Sequence, residues 1–208
     1  MKVSVAREGW PFITVPAFLA VGLLLGGRRA LALPFAAAAL ASLGFFRDPD
    51  RDVPSVPGGV LSPADGRVLS VETIEDRFVG PALRVGIFLS PLDVHVNRSP
   101  IAGLVVGTVY SRGRFLAAYR SEAEGANERC ALHLQGETAR VTVVQIAGVL
   151  ARRIVCRVGP GDKLAAGERF GMIRFGSRTD CVMPRRTDVR VRVGDRVTGG
   201  VTVPGLLT

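Results

Sequence analysis

The amino-acid sequence predicts a mostly β protein: a compact antiparallel β domain preceded by an N-terminal apolar helical membrane segment. Two uncharged, apolar runs at residues 11–27 and 30–46 are typical of membrane-associated helices. From about residue 52 the character changes, and short Val-rich segments are separated by Gly, Pro and Asp, as strands are. We therefore expect apolar helices and a connector over residues 1–51, and a β-rich domain over residues 52–208.

The apolar runs are separated by Arg28 and Arg29 and predict two short membrane helices, or a hairpin that enters one leaflet. Each run spans about 25 Å as a helix, slightly less than a hydrocarbon core of roughly 30 Å. A cleaved signal peptide is the alternative, because Lys2 and Arg7 supply a basic start and residues 30–32 imitate a cleavage site. The second apolar run follows at once, and this favours membrane helices.

Several segments of the second part predict strands, because they are rich in Val and often alternate between apolar and polar residues. They are Arg67–Val71, Leu83–Leu89, Gly103–Tyr110, Arg140–Ile146, Ala151–Val155, Phe170–Phe175 and Val189–Val193. Only part of residues 116–128 approaches a helical period, and Gly125 weakens it. Short strands with frequent turns predict one antiparallel β domain.

The composition indicates an anionic partner and argues against several classes of site. The formal net charge is +9, yet only 6% of residues are aromatic and none of them interleaves with basic runs. A membrane surface is therefore favoured, and we expect no nucleic-acid partner. Cys130, Cys156 and Cys181 form no C-x-x-C pair and have no His at ligand spacing. We accordingly expect no metal site and no disulfide framework.

Four polar segments are candidates for chemistry, and each alone has an ordinary structural explanation. They are Phe45–Arg51, Ser62–Val68, Leu89–Pro100 and Gly171–Asp180. Asp65 lies in a Pro-Ala-Asp-Gly turn, His95 is compatible with a partly buried histidine, and Gly176-Ser177 with a strand bulge. The other histidine, His133, alternates with two leucines, and we predict no role for it. The sequence contains no P-loop, dinucleotide-binding motif, G-x-S-x-G elbow or H-E-x-x-H motif.

Together, in this order and at this spacing, the four segments resemble the short form of the phosphatidylserine decarboxylase family. The resemblance runs from about Phe45 to about Pro184, and its most specific parts are residues 90–100 and 174–180. It implies a proenzyme that cuts itself between Gly176 and Ser177. Ser177 then becomes a pyruvoyl group, the only cofactor implied, and no metal is required. That group forms a Schiff base with phosphatidylserine, which loses carbon dioxide and leaves as phosphatidylethanolamine.

The resemblance also implies roles for particular side chains. Self-cleavage needs a base for the Ser177 hydroxyl, and a His oriented by a carboxylate is the usual solution. We expect His95 and Asp65 to supply that pair. Longer family members often carry a second His, and here Arg98 stands in its place. The division of self-cleavage and decarboxylation between His95 and other groups therefore stays open. Gly176 suits the cleavage site because it has no side chain and permits unusual backbone angles.

The implied partners follow from the substrate and from the cut. Phosphatidylserine resides in the membrane, so we expect the chain at the cell membrane with its catalytic domain on the cytoplasmic side. Residues 1–176 and 177–208 would remain together as a heterodimer, and a higher oligomer is compatible with this. The substrate-binding residues are unknown; the arginines of the motifs, which are candidates for the lipid phosphate, are Arg47, Arg67, Arg98 and Arg178.

Three alternatives remain. The same chemistry could act on a different amino-phospholipid or a soluble amino acid, although the apolar N-terminus argues against a soluble substrate. A non-catalytic biotinyl- or lipoyl-like module is suggested by Val-Gly-Asp turns and would need Lys163 at a hairpin tip. Finally, Arg98 in place of a second His could leave the Gly-Ser bond uncut.

Overall fold

The computed structural model describes residues 3–116, 125–148, 153–174 and 177–208. The chain divides into two compact units, Met1–Asp50 and Arg51–Thr208. The first contains two apolar helices, and the second is built of antiparallel strands. The predicted fold class, a compact antiparallel β domain with an N-terminal apolar helical segment, is confirmed.

Two helices make up most of the first unit. A short 3₁₀ turn, Arg7–Gly9, leads into α1 (Trp10–Leu25), and α2 (Arg29–Phe45) follows. Gly27 adopts a φ of 74°, which lets the chain reverse between the two helices without a side-chain clash. Strand β1 (Val3–Val5) pairs antiparallel with β2 (Arg47–Pro49) and brings the two ends of this unit together.

Both helices expose large apolar side chains. Phe18 and Leu25 on α1 are 76% and 85% exposed, and Leu40 on α2 is 69% exposed. The helical stretch Arg7–Leu25 has a mean hydropathy of 1.6 over its best window and is long enough to cross a membrane, whereas α2 is shorter. Length and composition also suit a signal sequence near an N-terminus, so this unit is compatible with both interpretations made from the sequence.

The second unit contains the remaining described strands. They are β3 (Gly59–Val60), β4 (Gly66–Asp76), β5 (Gly80–Leu89), β6 (Val96–Arg98), β7 (Gly103–Ser111), β8 (Arg129–Gln135), β9 (Arg140–Ile146), β10 (Ile154–Cys156), β11 (Lys163–Leu164), β12 (Arg169–Ile173), β13 (Ser177–Pro184), β14 (Asp188–Val189), β15 (Arg196–Val197) and β16 (Gly205–Leu206).

One large antiparallel sheet organises this unit, with the strand order β11-β7-β8-β9-β13-β5-β4-β15. Smaller sheets, ordered β10-β12-β6 and β14-β16-β3, accompany it. Strand β13 lies in the interior of the large sheet and pairs with β5 on one edge and with β9 on the other. It is therefore hydrogen-bonded along both edges, which makes it one of the most constrained segments of the chain.

The two faces of the large sheet differ in chemistry. Apolar side chains such as Ile87, Val143 and Met183 form the core on one face. On the other face, Arg178 forms an ion pair with Asp180, and both side chains are at least 95% buried, with exposed fractions of 5% and 2%. Gly86 lies across from Asp180, and a Cβ built there would lie 2.8 Å from an Arg178 nitrogen. A glycine is therefore needed at position 86, where the Arg178 guanidinium lies over the face of the sheet.

The strand predictions succeed wherever residues alternate. Arg140–Ile146 coincides with β9, and the segments at 67–71, 83–89 and 103–110 lie within β4, β5 and β7. The Val189–Val193 prediction is wrong beyond Val189, because residues 193–194 form a turn. Part of two other predictions, at 116–128 and 151–155, lies outside the described residues, as does Phe175. Strand β13 was not predicted.

Two of the cysteines are neighbours across the core. Cys130 on β8 and Cys156 on β10 share a hydrogen bond that lowers the pKa of the Cys156 thiol and raises the pKa of Cys130. The fully buried Cys181 has a pKa raised to about 12 by desolvation. Cys156 is half-buried, whereas Cys130 and Cys181 are buried. Since the thiolate is the reactive form, Cys156 should be the reactive cysteine.

We predict that iodoacetamide modifies native protein at Cys156 faster than at Cys130 or Cys181 near neutral pH. Peptide mass spectrometry over a pH series would measure the rates. Cys130→Ala removes the hydrogen-bond donor and should shift the midpoint of the Cys156 profile to higher pH, whereas Cys130→Ser retains a donor and should shift it less. An unchanged midpoint in Cys130→Ala would contradict the hydrogen bond as the cause.

Candidate active site

Ser177 is the first residue of β13 and is fully buried. Its hydroxyl has no hydrogen-bond partner within the described parts of the chain. A buried hydroxyl without a partner carries a desolvation cost of about 1–3 kcal/mol, and such groups are enriched where a structure has a chemical task. Phe175 and Gly176, which precede Ser177, lie outside the described residues, so the predicted cleavage bond is described from its Ser177 side alone.

His95 is also fully buried and lies in the segment that joins β5 to β6. Its Nδ1 lies 2.9 Å from the carbonyl oxygen of Asp93. A carbonyl only accepts hydrogen bonds, so Nδ1 must carry the proton that it donates. The lone pair of a neutral His95 is then on Nε2, which is the nitrogen that can act as a base.

The backbone brings Ser177 and His95 into the same region. Ser177 pairs with Leu89, the last residue of β5, and the His95 segment begins directly after that strand. On the other side, the Ile173 amide at the end of β12 donates to the His95 carbonyl at 3.3 Å. The segment 90–95 therefore runs from the large sheet to the β10-β12-β6 sheet, with Ser177 beside its start and Ile173 beside its end. We call this place the double crossing. Ser177 and His95, two of the three catalytic residues predicted from the sequence, lie there.

A buried network of polar side chains fixes the crossing. Asn97 donates to the Thr179 hydroxyl at 3.1 Å, and the Gln145 amide donates to the Asn97 oxygen at 2.9 Å. Side chains two residues apart in a strand point to the same face, so Thr179 shares a face with Ser177. All three side chains of the network are at most 1% exposed. The network thus links β13, β9 and β6 immediately beside the Ser177 hydroxyl.

Asp65 lies in the loop before β4 and is held by two partners. The Gly199 amide donates to its Oδ1 at 2.7 Å, and Arg51 contacts its Oδ2 at 2.8 Å. Burial raises the pKa of Asp65, and although Gly199 and Arg51 lower it, the nearby charge of Asp93 raises it further. Asp65 is therefore near Asp93, whereas the Nδ1 of His95 is held by the Asp93 carbonyl rather than by Asp65.

The motif arginines occupy different environments. Arg98, at the position of the second His of longer family members, is buried and donates to the Gly167 carbonyl at 3.0 Å. Arg178 is committed to its buried ion pair with Asp180. Arg47 donates to the Gly44 carbonyl at 2.7 Å in the N-terminal unit. Arg67 is exposed on β4. Of these four, only Arg67 lies on the surface of the β domain.

Two other expectations concern ligands. Within residues 3–116, 125–148, 153–174 and 177–208, no group of three or more His, Cys, Asp or Glu could hold a metal ion. Lys163, which a biotinyl- or lipoyl-like module would present at a hairpin tip, begins β11 and pairs with Leu104. The turn that precedes it leads from β10 into β11 at the edge of the large sheet, and its Gly161 amide donates to the Val105 carbonyl at 2.8 Å.

Comparison with known proteins shows which family the chain belongs to. The family model for phosphatidylserine decarboxylase matches residues 39–204, which include the complete double crossing. The chain belongs to the phosphatidylserine decarboxylase family. The family resemblance noted from the sequence is therefore confirmed.

Several relatives in this family match over nearly their whole length. A phosphatidylserine decarboxylase proenzyme of Symbiobacterium thermophilum is 51% identical over 98% of this chain and 95% of its own. The proenzyme of Nitrosomonas europaea is 46% identical over 96% of this chain and 93% of its own. That of Desulfotalea psychrophila is 42% identical over 98% of this chain and 97% of its own.

Sequence reasoning missed the residues that hold the family's motif segments together. Asp93 and Asn97 lie within the Leu89–Pro100 segment, but their roles depend on distant partners. Gln145 is the only amide in β9 and lies between Val144 and Ile146, and a single amide in a mainly apolar part of a strand is a usable signal. Thr179 gave no signal of its own, because β13 was not recognised as a strand.

We predict that Thr179→Val lowers the free energy of unfolding by about 1 kcal/mol, because the hydrogen bond from Asn97 is lost at nearly constant volume. Urea unfolding in a Ser177→Ala background would measure this on a chain that cannot cut itself. Thr179→Ser keeps the hydroxyl and serves as the control for that bond. Equal stability of the Val variant and its parent would show that the network does not stabilise the crossing.

Proposed function

We propose that this protein is a proenzyme that cuts itself between Gly176 and Ser177, converts Ser177 into a pyruvoyl group and then decarboxylates phosphatidylserine. The observation that carries the proposal is the buried, unpartnered Ser177 hydroxyl at the start of β13, beside the segment that holds His95. The relatives described above are named as proenzymes of this reaction, which supports it.

Self-cleavage needs a nucleophile, a base and a peptide bond that can be attacked. The Ser177 Oγ adds to the Gly176 carbonyl carbon, its proton passes to Nε2 of His95, and the peptide bond is replaced by an ester. Loss of the Ser177 Cα proton then expels the Gly176 carboxylate and leaves dehydroalanine. Water enters and ammonia leaves, which yields the pyruvoyl group and a shortened chain that ends at Gly176.

The structure supports His95 as the base through its tautomer. The hydrogen bond from Nδ1 to the Asp93 carbonyl keeps that proton in place and leaves Nε2 to accept the proton of Ser177. The buried position excludes bulk water, which would otherwise compete for the ester.

We assign Asp65 a supporting part in proton transfer. Its carboxyl has a raised pKa because of burial, and such groups hold a proton closer to neutral pH than an exposed carboxyl does. It lies near the Asp93 loop that fixes His95, so it can act on that loop electrostatically without a direct bond to the imidazole nitrogen Nδ1.

In turnover, the pyruvoyl ketone would supply the electron sink that no ordinary side chain provides for a carbanion at Cα. This chain's own contribution is to position the substrate amine at residue 177 and to return a proton to Cα. His95 is the proposed acid for that step.

The proposal extends to the organisation of the chain. Residues 1–51 would hold the protein at the cell membrane, with the decarboxylase domain, residues 52–208, on the cytoplasmic side. Residues 1–176 and 177–208 would stay together after the cut, because β13 is hydrogen-bonded to β5 and β9 along both edges. The exposed apolar residues of α1 and α2 support the membrane location.

We predict that the purified full chain cuts itself before Ser177. Intact mass spectrometry of the purified full chain should give two species that correspond to residues 1–176 and 177–208. The smaller should be lighter by one ammonia than a peptide beginning with Ser. Ser177→Ala should remain a single chain, because the nucleophile is gone. Cleavage in Ser177→Ala at the same bond would point to an external protease and would overturn the proposal.

The substrate is tested next with the processed protein. Release of carbon dioxide from carboxyl-labelled phosphatidylserine, with phosphatidylethanolamine as the product, is the expected result. If the processed protein decarboxylates another amino-phospholipid but not phosphatidylserine, the proposed self-cleavage would stand and the proposed substrate would be wrong.

We predict that Asp65 lowers the stability of the folded protein as pH rises and that it contributes to self-cleavage. A carboxyl whose pKa is raised on folding binds more protons in the folded state, so stability decreases as pH rises from its ordinary value of about 4 through the raised value. In a Ser177→Ala background, Asp65→Asn should remove this decrease and unfold at an equal or higher temperature at pH 7. In the otherwise native chain it should slow self-cleavage. Thermal unfolding against pH and a processing time course measure the two effects.

Two results would contradict this assignment. A less stable Asp65→Asn protein at pH 7 would mean that the ion pair with Arg51 outweighs burial. Processing at the native rate would remove Asp65 from the reaction.

A further inference from the structure

Two turns of the β domain present large apolar side chains to solvent. Leu92 is 84% exposed and Val193 is 65% exposed. Each lies in a tight four-residue turn, Ser90–Asp93 or Arg192–Asp195, that is closed in the same way. In each turn, the final Asp accepts a hydrogen bond from the first backbone amide at 2.8 Å. The apolar side chains are therefore held out on rigid supports, not on loose loops.

The two turns lie side by side. Arg196, directly after the second turn, approaches the Asp93 carboxylate of the first turn at 3.7 Å. The second turn is fixed to β4, because the Gly194 amide donates to the Val68 carbonyl and the Val68 amide donates to the Asp195 carbonyl, both at 2.9 Å. Leu92 and Val193 thus belong to one region of the surface.

Exposed arginines accompany these side chains. Arg196 is 75% exposed, and its cross-strand neighbour on β4 is Arg67, which is also exposed. Like charges directly opposite each other on paired strands are unfavourable unless an anion compensates them. The Asp93 carboxylate closes its own turn through Oδ2 and faces Arg196 through Oδ1 at 3.7 Å, whereas Arg67 has no ion pair within the described residues. An anionic ligand at this place would compensate Arg67 and relieve the remaining repulsion between the two arginines.

We infer that Leu92, Val193, Arg67 and Arg196 form a docking surface for a lipid bilayer with anionic head groups. Apolar side chains on rigid turns suit insertion below the head groups, and neighbouring arginines suit their phosphates. This surface consists of β-domain residues only. The inference rests on the proposed function, because a decarboxylase of phosphatidylserine has to take its substrate from a membrane.

The docking surface is continuous with the candidate active site. Leu92 and His95 lie in the same segment, and the Asp93 carbonyl between them accepts the hydrogen bond of His95 Nδ1. Contact with lipid at Leu92 would place the entrance to the double crossing at the depth of the head groups. The lipid would then need to move its head group only a short way out of the membrane.

Tryptophan fluorescence tests the surface in the full chain. Trp10, the only tryptophan, is first replaced by Phe, and Ser177→Ala keeps the chain uncut, so that no enzyme activity is needed. Leu92→Trp then places a probe on the docking surface. Val109→Trp is the matched control, because Val109 is 52% exposed on β7, which β8, β9, β13 and β5 separate from β4. The protein is reconstituted in phosphatidylcholine vesicles, with or without phosphatidylglycerol and brominated lipid.

We expect the Leu92→Trp emission to shift to shorter wavelength and to lose most of its intensity with brominated lipid, more so with phosphatidylglycerol. The Val109→Trp emission should change little. Adding Arg67→Gln and Arg196→Gln should remove the additional quenching that phosphatidylglycerol causes. Equal quenching at positions 92 and 109, or none at either, would overturn the inference. If the Leu92→Trp emission in lipid-free detergent shifts to shorter wavelength as protein concentration rises, the surface binds a second copy of the chain. That result would also overturn the inference.

This readout separates the docking surface from the proposed function. Quenching at position 92 together with a native chain that never cuts itself would support docking and refute the decarboxylase proposal. Efficient self-cleavage and turnover without quenching would do the reverse.

Discussion

The pairing of β13 along both of its edges is the constraint on which the rest of this structure depends. The strand starts at Ser177, so its register with Leu89 sets where the buried hydroxyl lies. Its Thr179 anchors the network to Asn97, and its Asp180 holds Arg178 across the outer face of the sheet. A shift of one residue would turn Ser177 to the opposite face. The position of the Ser177 hydroxyl is thus fixed by backbone hydrogen bonds formed over the whole strand.

The same strand shows why the sequence predicted only part of the fold. Strands β5, β7 and β9 were predictable because one face is apolar and the pattern alternates. In β13, the face opposite the core carries Arg178 and Asp180, whose charges look like a loop until their mutual pairing is known. Ser177, His95 and Asp65 could be nominated from the family's motifs. The network of Asn97, Thr179 and Gln145 could not, since its members are distant in sequence and meet only through strand pairing.

Arg98 has a structural role at the position where longer family members often carry a second His. Its guanidinium donates to the Gly167 carbonyl, and a Cβ at Gly200 would lie 2.9 Å from its Cδ, so the surrounding backbone is shaped to this side chain. Its backbone amide donates to the Pro63 carbonyl, which ties the segment of His95 to the loop of Asp65. The position that holds a second His in longer family members is here a structural support. In the proposed mechanism, proton transfer would therefore depend on His95 without a second imidazole at this position.

Because β13 is central to the sheet, the proposed cut would make folding of this protein a one-way process. The uncut chain is a single molecule, so its refolding would not require two peptides to meet. After the cut, an unfolded molecule would be two separate peptides, which would have to associate in dilute solution before β13 could return to the sheet. The working form would then be protected by its slow rate of unfolding and not by reversible equilibrium. Every cut molecule would have folded correctly at least once, because the proposed cut would need β13 to be paired so that Ser177 lies in the site.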